Sequence, residues 1–180
     1  MTRMRITRRQ AIVLLVPVAL LALAALVAAP TFADEGRSFK ATLTGYEEVP
    51  SVSTAASGEF RAHLSADGTT LSYELTYANI ANTFAAHIHL GQPGVIGGVI
   101  AFLCGGSKPA CTFPSGTFSG TIVAADVIGP AGQGISAGDF DELVTAMRAG
   151  FTYANVHTSN PGAPAGPGNL PVGEIRGHIK

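Results

Sequence analysis

Short segments in which apolar and polar residues alternate make up most of the chain after residue 37. Residues 59–65 and 71–77 both place an apolar side chain at every second position, and Asp67-Gly68 lies between them. A period of two on either side of a turn is typical of a β-hairpin with one buried face. Further strands are predicted at 38–45, 84–90, 97–103, 116–124, 151–158 and 172–180. Eight short strands predict a mainly β fold, an antiparallel β-sandwich or Greek-key-like domain.

One segment follows the helical period instead. Its apolar side chains fall at i, i+3, i+4 and i+7 on one stripe, at Phe140, Leu143, Val144 and Met147. Ser136 is the predicted N-cap, with Asp139 three residues later, and Gly150 stands where a helix ends in a left-handed residue. The sequence therefore predicts one short α-helix whose stripe belongs to the core.

The first 33 residues have a different pattern. Arginines at positions 3, 5, 8 and 9 precede an apolar run at 11–30 and the ending Thr31-Phe32-Ala33. This order is typical of a secretory signal, with cleavage after Ala33. The run also reaches the ~20 residues that a spanning helix needs, so an uncleaved membrane anchor is the alternative. Arg8-Arg9 is compatible with twin-arginine export. Contact with a membrane is expected only through this segment.

Removing residues 1–33 makes the remainder acidic. Residues 34–180 contain seven basic and twelve acidic side chains, hence a net charge of −5. Their number fits a single domain with a real core. An acidic domain without basic clusters is not expected to bind nucleic acid. The predicted organisation is a signal at 1–33 and one β domain at 34–180, located outside the cytoplasm as a secreted or cell-envelope protein.

The only two cysteines, Cys104 and Cys111, are separated by six residues. In an exported protein, such a pair on either side of a turn favours a disulfide that closes a loop. A pair of thiolate metal ligands is the alternative.

Histidine placement is the most informative chemistry in the chain. His87 and His89 occupy positions i and i+2 of a predicted strand, so they share a face about 6–7 Å apart along the strand. His157 ends another predicted strand and is the best candidate for a third ligand, whereas His178 on the last strand is a weaker candidate. Imidazole nitrogen suits zinc and copper, so these residues form a candidate copper or zinc site. His63 is expected on a solvated face, so it is not included in the candidate metal site.

A structural role for the same histidines is the alternative. Histidines at strand ends often donate hydrogen bonds to loop carbonyls, and they could share a polar network with Tyr153, Asn155, Glu174 and Arg176. The proline- and glycine-rich segment Ser159–Pro171 lies between two histidine-bearing strands and is predicted to be a solvated connector.

Four segments, in order, carry a resemblance to the CHRD domain family, which is named for chordin and includes bacterial secreted proteins. They are GYEEVP at 45–50, AAHIHLGQPGVIGGVI at 85–100, AGFTYANVHT at 149–158 and GEIRGHI at 173–179. The resemblance covers roughly residues 38–180 and implies an extracytoplasmic β-sandwich-like domain. It implies no established enzymatic activity, and the presence of this domain in a growth-factor-binding protein suggests an interaction module. Recurrent histidines of the family match His87, His89 and His157, which supports a shared polar or metal site.

This chain also departs from the family at Ser51, at the long loop before Pro171 and at His178. The segment HIHLG resembles a copper-ligand strand of copper–zinc superoxide dismutase, but the remaining ligand spacing of that enzyme is missing and its activity is not implied.

The sequence contains no G-x-S-x-G elbow, no P-loop and no dinucleotide fingerprint. The sequence therefore favours a non-catalytic module that binds an extracytoplasmic protein, and the alternative is a copper- or zinc-binding envelope protein. An enzyme ranks last.

Overall fold

The computed structural model describes residues 36–180, so the predicted signal segment lies outside the described residues. Eight β-strands and one α-helix follow one another: β1 (Ser38–Thr44), β2 (Ser57–Leu64), β3 (Leu71–Ala78), β4 (Thr83–Leu90), β5 (Gly98–Cys104), β6 (Gly116–Ile122), α1 (Phe140–Arg148), β7 (Thr152–Thr158) and β8 (Ile175–His178). Short 3₁₀ turns occur at Gly45–Glu47, Ala124–Asp126 and Ala131–Gln133. Within residues 36–180, the single α-helix is too short to cross a membrane.

All eight strands join one antiparallel sheet in the order β5-β4-β7-β8-β1-β2-β3-β6. The sheet is nearly closed, since the outermost strands β5 and β6 lie beside each other. The Tyr73 hydroxyl of β3 donates to the Leu103 carbonyl of β5 at 2.7 Å, which ties the two ends together. The predicted mainly β, antiparallel fold with one short helix is confirmed.

The predicted alternation produces the core. Strands β2 and β3 bury every second side chain, and the predicted stripe of α1 is buried against the same core. Strand β7 is different, because all seven of its residues are buried. Ala154 and Val156 enter the core, whereas Tyr153, Asn155 and His157 alternate with them and lie on the opposite face. Loops cover that opposite face and make it a buried polar layer.

Three local predictions need correction. The helix begins at Phe140 with Asp139 as its N-cap residue, so Ser136 is not the cap. Strand β8 begins at Ile175 rather than at 172, because Gly173 has φ 136° and sits in the preceding turn. Segment Ser159–Pro171 is not merely a solvated connector, since it folds over the outer face of β7 and hydrogen bonds to it.

The cysteine prediction is confirmed. Cys104 and Cys111 form a disulfide with their Cα atoms 5.2 Å apart. The bridge closes the loop that leads from β5 to β6, and its presence indicates an oxidising environment.

Candidate metal centre

Three histidines meet on the outer face of β4 and β7. The register sets His87 opposite Asn155 and His89 opposite Tyr153, while His157 follows two residues after Asn155 on the same face of β7. One potential ligand nitrogen from each histidine lies within 4.8 Å of the others. No other group of three or more histidine, cysteine or acidic side chains in residues 36–180 has this proximity. The three histidines that the sequence singled out are therefore the ones that the fold brings together.

Loop carbonyls orient two of these rings. His89 Nδ1 lies 3.0 Å from the Gly97 carbonyl oxygen, and His157 Nδ1 lies 3.0 Å from the Pro171 carbonyl oxygen. A carbonyl oxygen can only accept, so each Nδ1 carries the proton and donates it. In the neutral ring, Nε2 then keeps a free lone pair.

These two lone pairs face each other. His89 Nε2 and His157 Nε2 are 3.2 Å apart, at a buried position. Two acceptors at this distance repel each other unless a cation lies between them. Tetrahedral zinc with two nitrogens at ~2.0–2.1 Å separates those nitrogens by roughly 3.3 Å. The observed spacing is therefore suited to a shared metal ion.

The candidate third donor is the Nδ1 atom of His87. Its Nδ1 is buried and has no hydrogen-bond partner. Its ring packs edge-on against Phe102, with centroids 4.4 Å apart, and lies 4.7 Å from the ring of His157. A buried nitrogen without a partner is costly to leave unsatisfied, and a metal bond would satisfy it. An inward shift of the His87 nitrogen by at most roughly 1.5 Å would place three donors at corners of a tetrahedral site.

Burial keeps all three rings neutral near pH 7. Desolvation, followed by the neighbouring His157 and His89, lowers the pKa of His87 to about 3. Desolvation likewise lowers the pKa of His89 and of His157 to about 4. A metal would then not have to displace protons from these ligands at neutral pH.

Tyr153 holds His89 in place from two directions. Its ring stacks on the His89 ring with centroids 4.9 Å apart and planes 8° apart. Its hydroxyl accepts the Gly97 N–H at 3.0 Å, and Gly97 is the residue whose carbonyl accepts from His89. Arg176 lies over the Tyr153 ring at 4.5 Å and donates to the Glu47 and Val95 carbonyls. Tyr153 is thus a positioning residue between the site and two loops.

Replacing Tyr153 by phenylalanine is expected to lower the free energy of unfolding by about 1–3 kcal/mol, because the part-buried Gly97 N–H loses its partner while the ring stack remains. Urea unfolding measures this change. Tyr46→Phe is the matched control. Tyr46 is exposed, so removal of its hydroxyl should lower the free energy of unfolding by less than about 0.5 kcal/mol. Equal stability of the two variants would contradict the assigned role.

The other two histidines lie elsewhere. His178 stands in the same row as His89, but Tyr153 lies between them in the register, with 5.6 Å between the Tyr153 and His178 ring centroids. His178 is not in the cluster. His63 is exposed on β2 and lies 3.2 Å from the Ser38 hydroxyl.

A second polar group borders the centre. The Glu174 carboxylate accepts hydrogen bonds from the Thr54 and Thr158 hydroxyls and from the Gly168 N–H, at 2.6–2.8 Å. These bonds pin the segment after β7 and the segment before β2 to β8. The sequence suggested a polar network of Glu174 with Tyr153, Asn155 and Arg176, whereas the observed hydrogen-bond partners of its carboxylate are Thr54, Thr158 and Gly168.

Glu48 belongs to this group and was not singled out from the sequence. Its carboxyl Oε1 and the Asn155 side-chain Oδ1 are both buried without a partner. Each lies within 2.6 Å of the position that a Cβ atom would take on Gly173, so any larger residue there would collide with both. Burial raises the pKa of Glu48 to about 7, although Arg176 opposes this effect. Protonation would give Glu48 a donor for a neighbouring acceptor such as Asn155 Oδ1, which lies beside the same glycine.

Glu48→Gln is expected to make stability less dependent on pH. The folded pKa of Glu48 lies above its unfolded value of 4.5, so its contribution is present below pH 4.5 and is lost as the pH rises through 7. Glutamine keeps a donor at every pH. The free energy of unfolding of the variant, measured in urea relative to wild type, should rise by about 2–3 kcal/mol between pH 5 and pH 8. Glu47→Gln, at an exposed neighbour, should gain none. Parallel pH profiles for wild type and Glu48→Gln would refute a protonated Glu48.

Comparison with known protein families identifies the family of this chain. The family model described as CHRD domain matches residues 39–179, which contain β2 to β8, all of β1 except its first residue, and the three clustered histidines. No curated protein and no solved structure matches this chain significantly.

Proposed function

Because this chain belongs to the CHRD domain family, we propose that it is an exported, non-catalytic binding module whose ligand is a copper or zinc ion. His87, His89 and His157 would hold the ion through Nδ1, Nε2 and Nε2, respectively. The family supports a binding or interaction role, and the disulfide supports an oxidising location such as the cell exterior or envelope.

One observation carries the proposal. The Nε2 atoms of His89 and His157 face each other at 3.2 Å, while carbonyl acceptors hold both protons on Nδ1. Donation from each Nδ1 to a loop carbonyl could fix the loops in place, but it would not require the two Nε2 lone pairs to converge. A metal ion turns this repulsion into two bonds, and carbonyl groups that orient ligating imidazoles are the usual outer partners of such sites.

The ligand chemistry narrows the choice of ion. Three imidazoles without thiolate or thioether suit Zn²⁺ and Cu²⁺, whereas Ca²⁺ and Mg²⁺ prefer oxygen donors. The usual affinity order places Cu²⁺ above Zn²⁺ for such a set. Copper is therefore expected to displace zinc from the protein.

Metal content and affinity test the proposal. Protein purified from the exported fraction would be stripped with chelator, offered Cu²⁺ or Zn²⁺ in separate experiments, desalted and analysed by elemental mass spectrometry and calorimetry. We expect one equivalent of either ion, and no equivalent of Ca²⁺ under the same conditions. Less than one-tenth of an equivalent of both copper and zinc would return the histidines to structural roles.

A protein partner is the second candidate ligand. The loops that orient the site expose apolar side chains beside their orienting residues: Tyr46 precedes Glu47, Ile96 precedes Gly97 and Val172 follows Pro171. These three side chains are carried by the loops that meet at the site, and a contiguous apolar patch there would be typical of an interaction surface. A partner bound equally well by chelated and metal-loaded protein would favour this candidate over the metal.

A further inference from the structure

Charge around the three histidines is positive once a divalent ion is bound. The ligands are neutral imidazoles, so they cancel none of the charge of the ion. The cationic Arg176 acts on His89 and adds to the positive charge. The nearby Glu174 carboxylate is taken up by three donors of its own. In a buried setting such an excess charge favours an anion as the next ligand.

The protein supplies only three donors. Zinc and copper sites of this kind take at least four ligands, and a three-ligand site leaves a position for a donor from solution. Within residues 36–180 no fourth histidine, cysteine or carboxylate joins the group. His178, the other histidine of this face, has Tyr153 between itself and the cluster in the strand register.

The approach to the site is narrow and aromatic. The three histidines are 5–7% exposed, so only a small part of each ring is open to solvent on the outer face of the sheet. Phe84 is half exposed, and its ring lies 6.1 Å from that of His157. Phe102 packs on His87. Because the site is almost fully buried, we expect it to admit a ligand of a few atoms and to exclude a bulky organic acid.

We propose that the metal ion held by His87, His89 and His157 keeps an open coordination position that takes a small monoanion from solution. This inference rests on the proposed metal site and adds the class of its exchangeable ligand. A hydroxide ion belongs to this class and would occupy the position in the absence of other anions.

Azide titration of the copper-loaded protein tests the inference. The exported protein would first be loaded with Cu²⁺, and one equivalent confirmed by elemental analysis. Azide should then produce a new near-ultraviolet charge-transfer band and a changed electron paramagnetic resonance spectrum, both saturating at one azide per copper. Benzenesulfonate, a bulky monoanion, should change neither spectrum. His178→Ala should respond to azide as the wild type does, because His178 is not in the cluster.

The outcomes separate the two claims. One equivalent of retained copper with spectra indifferent to azide would overturn the open position and leave the metal site intact. An equal response to benzenesulfonate would overturn the small opening and, with it, the assigned ligand class. Failure to take up copper at all would overturn both the metal site and this inference.

Discussion

Replacing His89 with alanine is expected to weaken the binding of Cu²⁺ or Zn²⁺ by at least ~100-fold, as measured by competition with a chromogenic chelator. Loss of a partner that merely orients a ligand costs 10–100-fold in metal affinity, so loss of a ligand should cost no less. Removal of His89 also takes away one of the two converging nitrogens, which leaves His157 Nε2 without its counterpart.

His63→Ala is the matched control for this experiment. It removes one histidine from an exposed position on β2, outside the cluster, and should leave metal affinity within about twofold. Unchanged affinity in His89→Ala, or an equal loss in both variants, would contradict the assigned ligand set.

Acid is expected to destabilise the metal-free protein strongly. The folded pKa values of the clustered histidines lie at about 3–4, below the ordinary value of 6.5. Their contribution to stability is therefore present above pH 6.5 and is lost as the pH falls toward the folded values, since the unfolded chain takes up protons first. For three such groups, the loss between pH 7 and pH 5 is about 5 kcal/mol. Unfolding by urea at a series of pH values measures it.

His87→Leu isolates the contribution of one ring. Leucine fills the space beside Phe102 and does not titrate. Between pH 7 and pH 5, the free energy of unfolding of the variant should therefore fall by about 2 kcal/mol less than that of the wild type. His63→Leu, outside the cluster, controls for the loss of any histidine and should follow the wild type. A wild-type protein that keeps its full stability at pH 5 would show that the rings are not buried as described.

Much of the fold was predictable because its signals are local. Alternation in residues 59–65 and 71–77 predicts β2 and β3 directly, since one face of each strand is buried and the other is solvated. The helical stripe of α1 was equally clear. Strand β7 carries no such alternation because both of its faces are buried. Strand order, which determines that β4 lies beside β7, depends on long-range pairing that no local period records.

The ligands of the candidate site were predictable from the sequence, but the groups that orient and surround them were not. Strand geometry alone predicts that His87 and His89 share a face. Predicting that His157 lies beside them requires the register of β4 and β7. The Gly97 and Pro171 carbonyls are backbone groups and have no sequence signature. Glu48 lies in a turn after β1, and its burial against Asn155 follows only from the folding of the loops over β7.

The most direct test of the central claim is long-range ¹H–¹⁵N NMR of the histidine rings with and without one equivalent of Zn²⁺. We expect metal-free His89 and His157 to carry their protons on Nδ1, and zinc to bind Nε2 of both rings and Nδ1 of His87. His63 and His178 should keep their metal-free spectra. Zinc bound by either of those residues, or a metal-free protein with protons on Nε2 of His89 and His157, would contradict it.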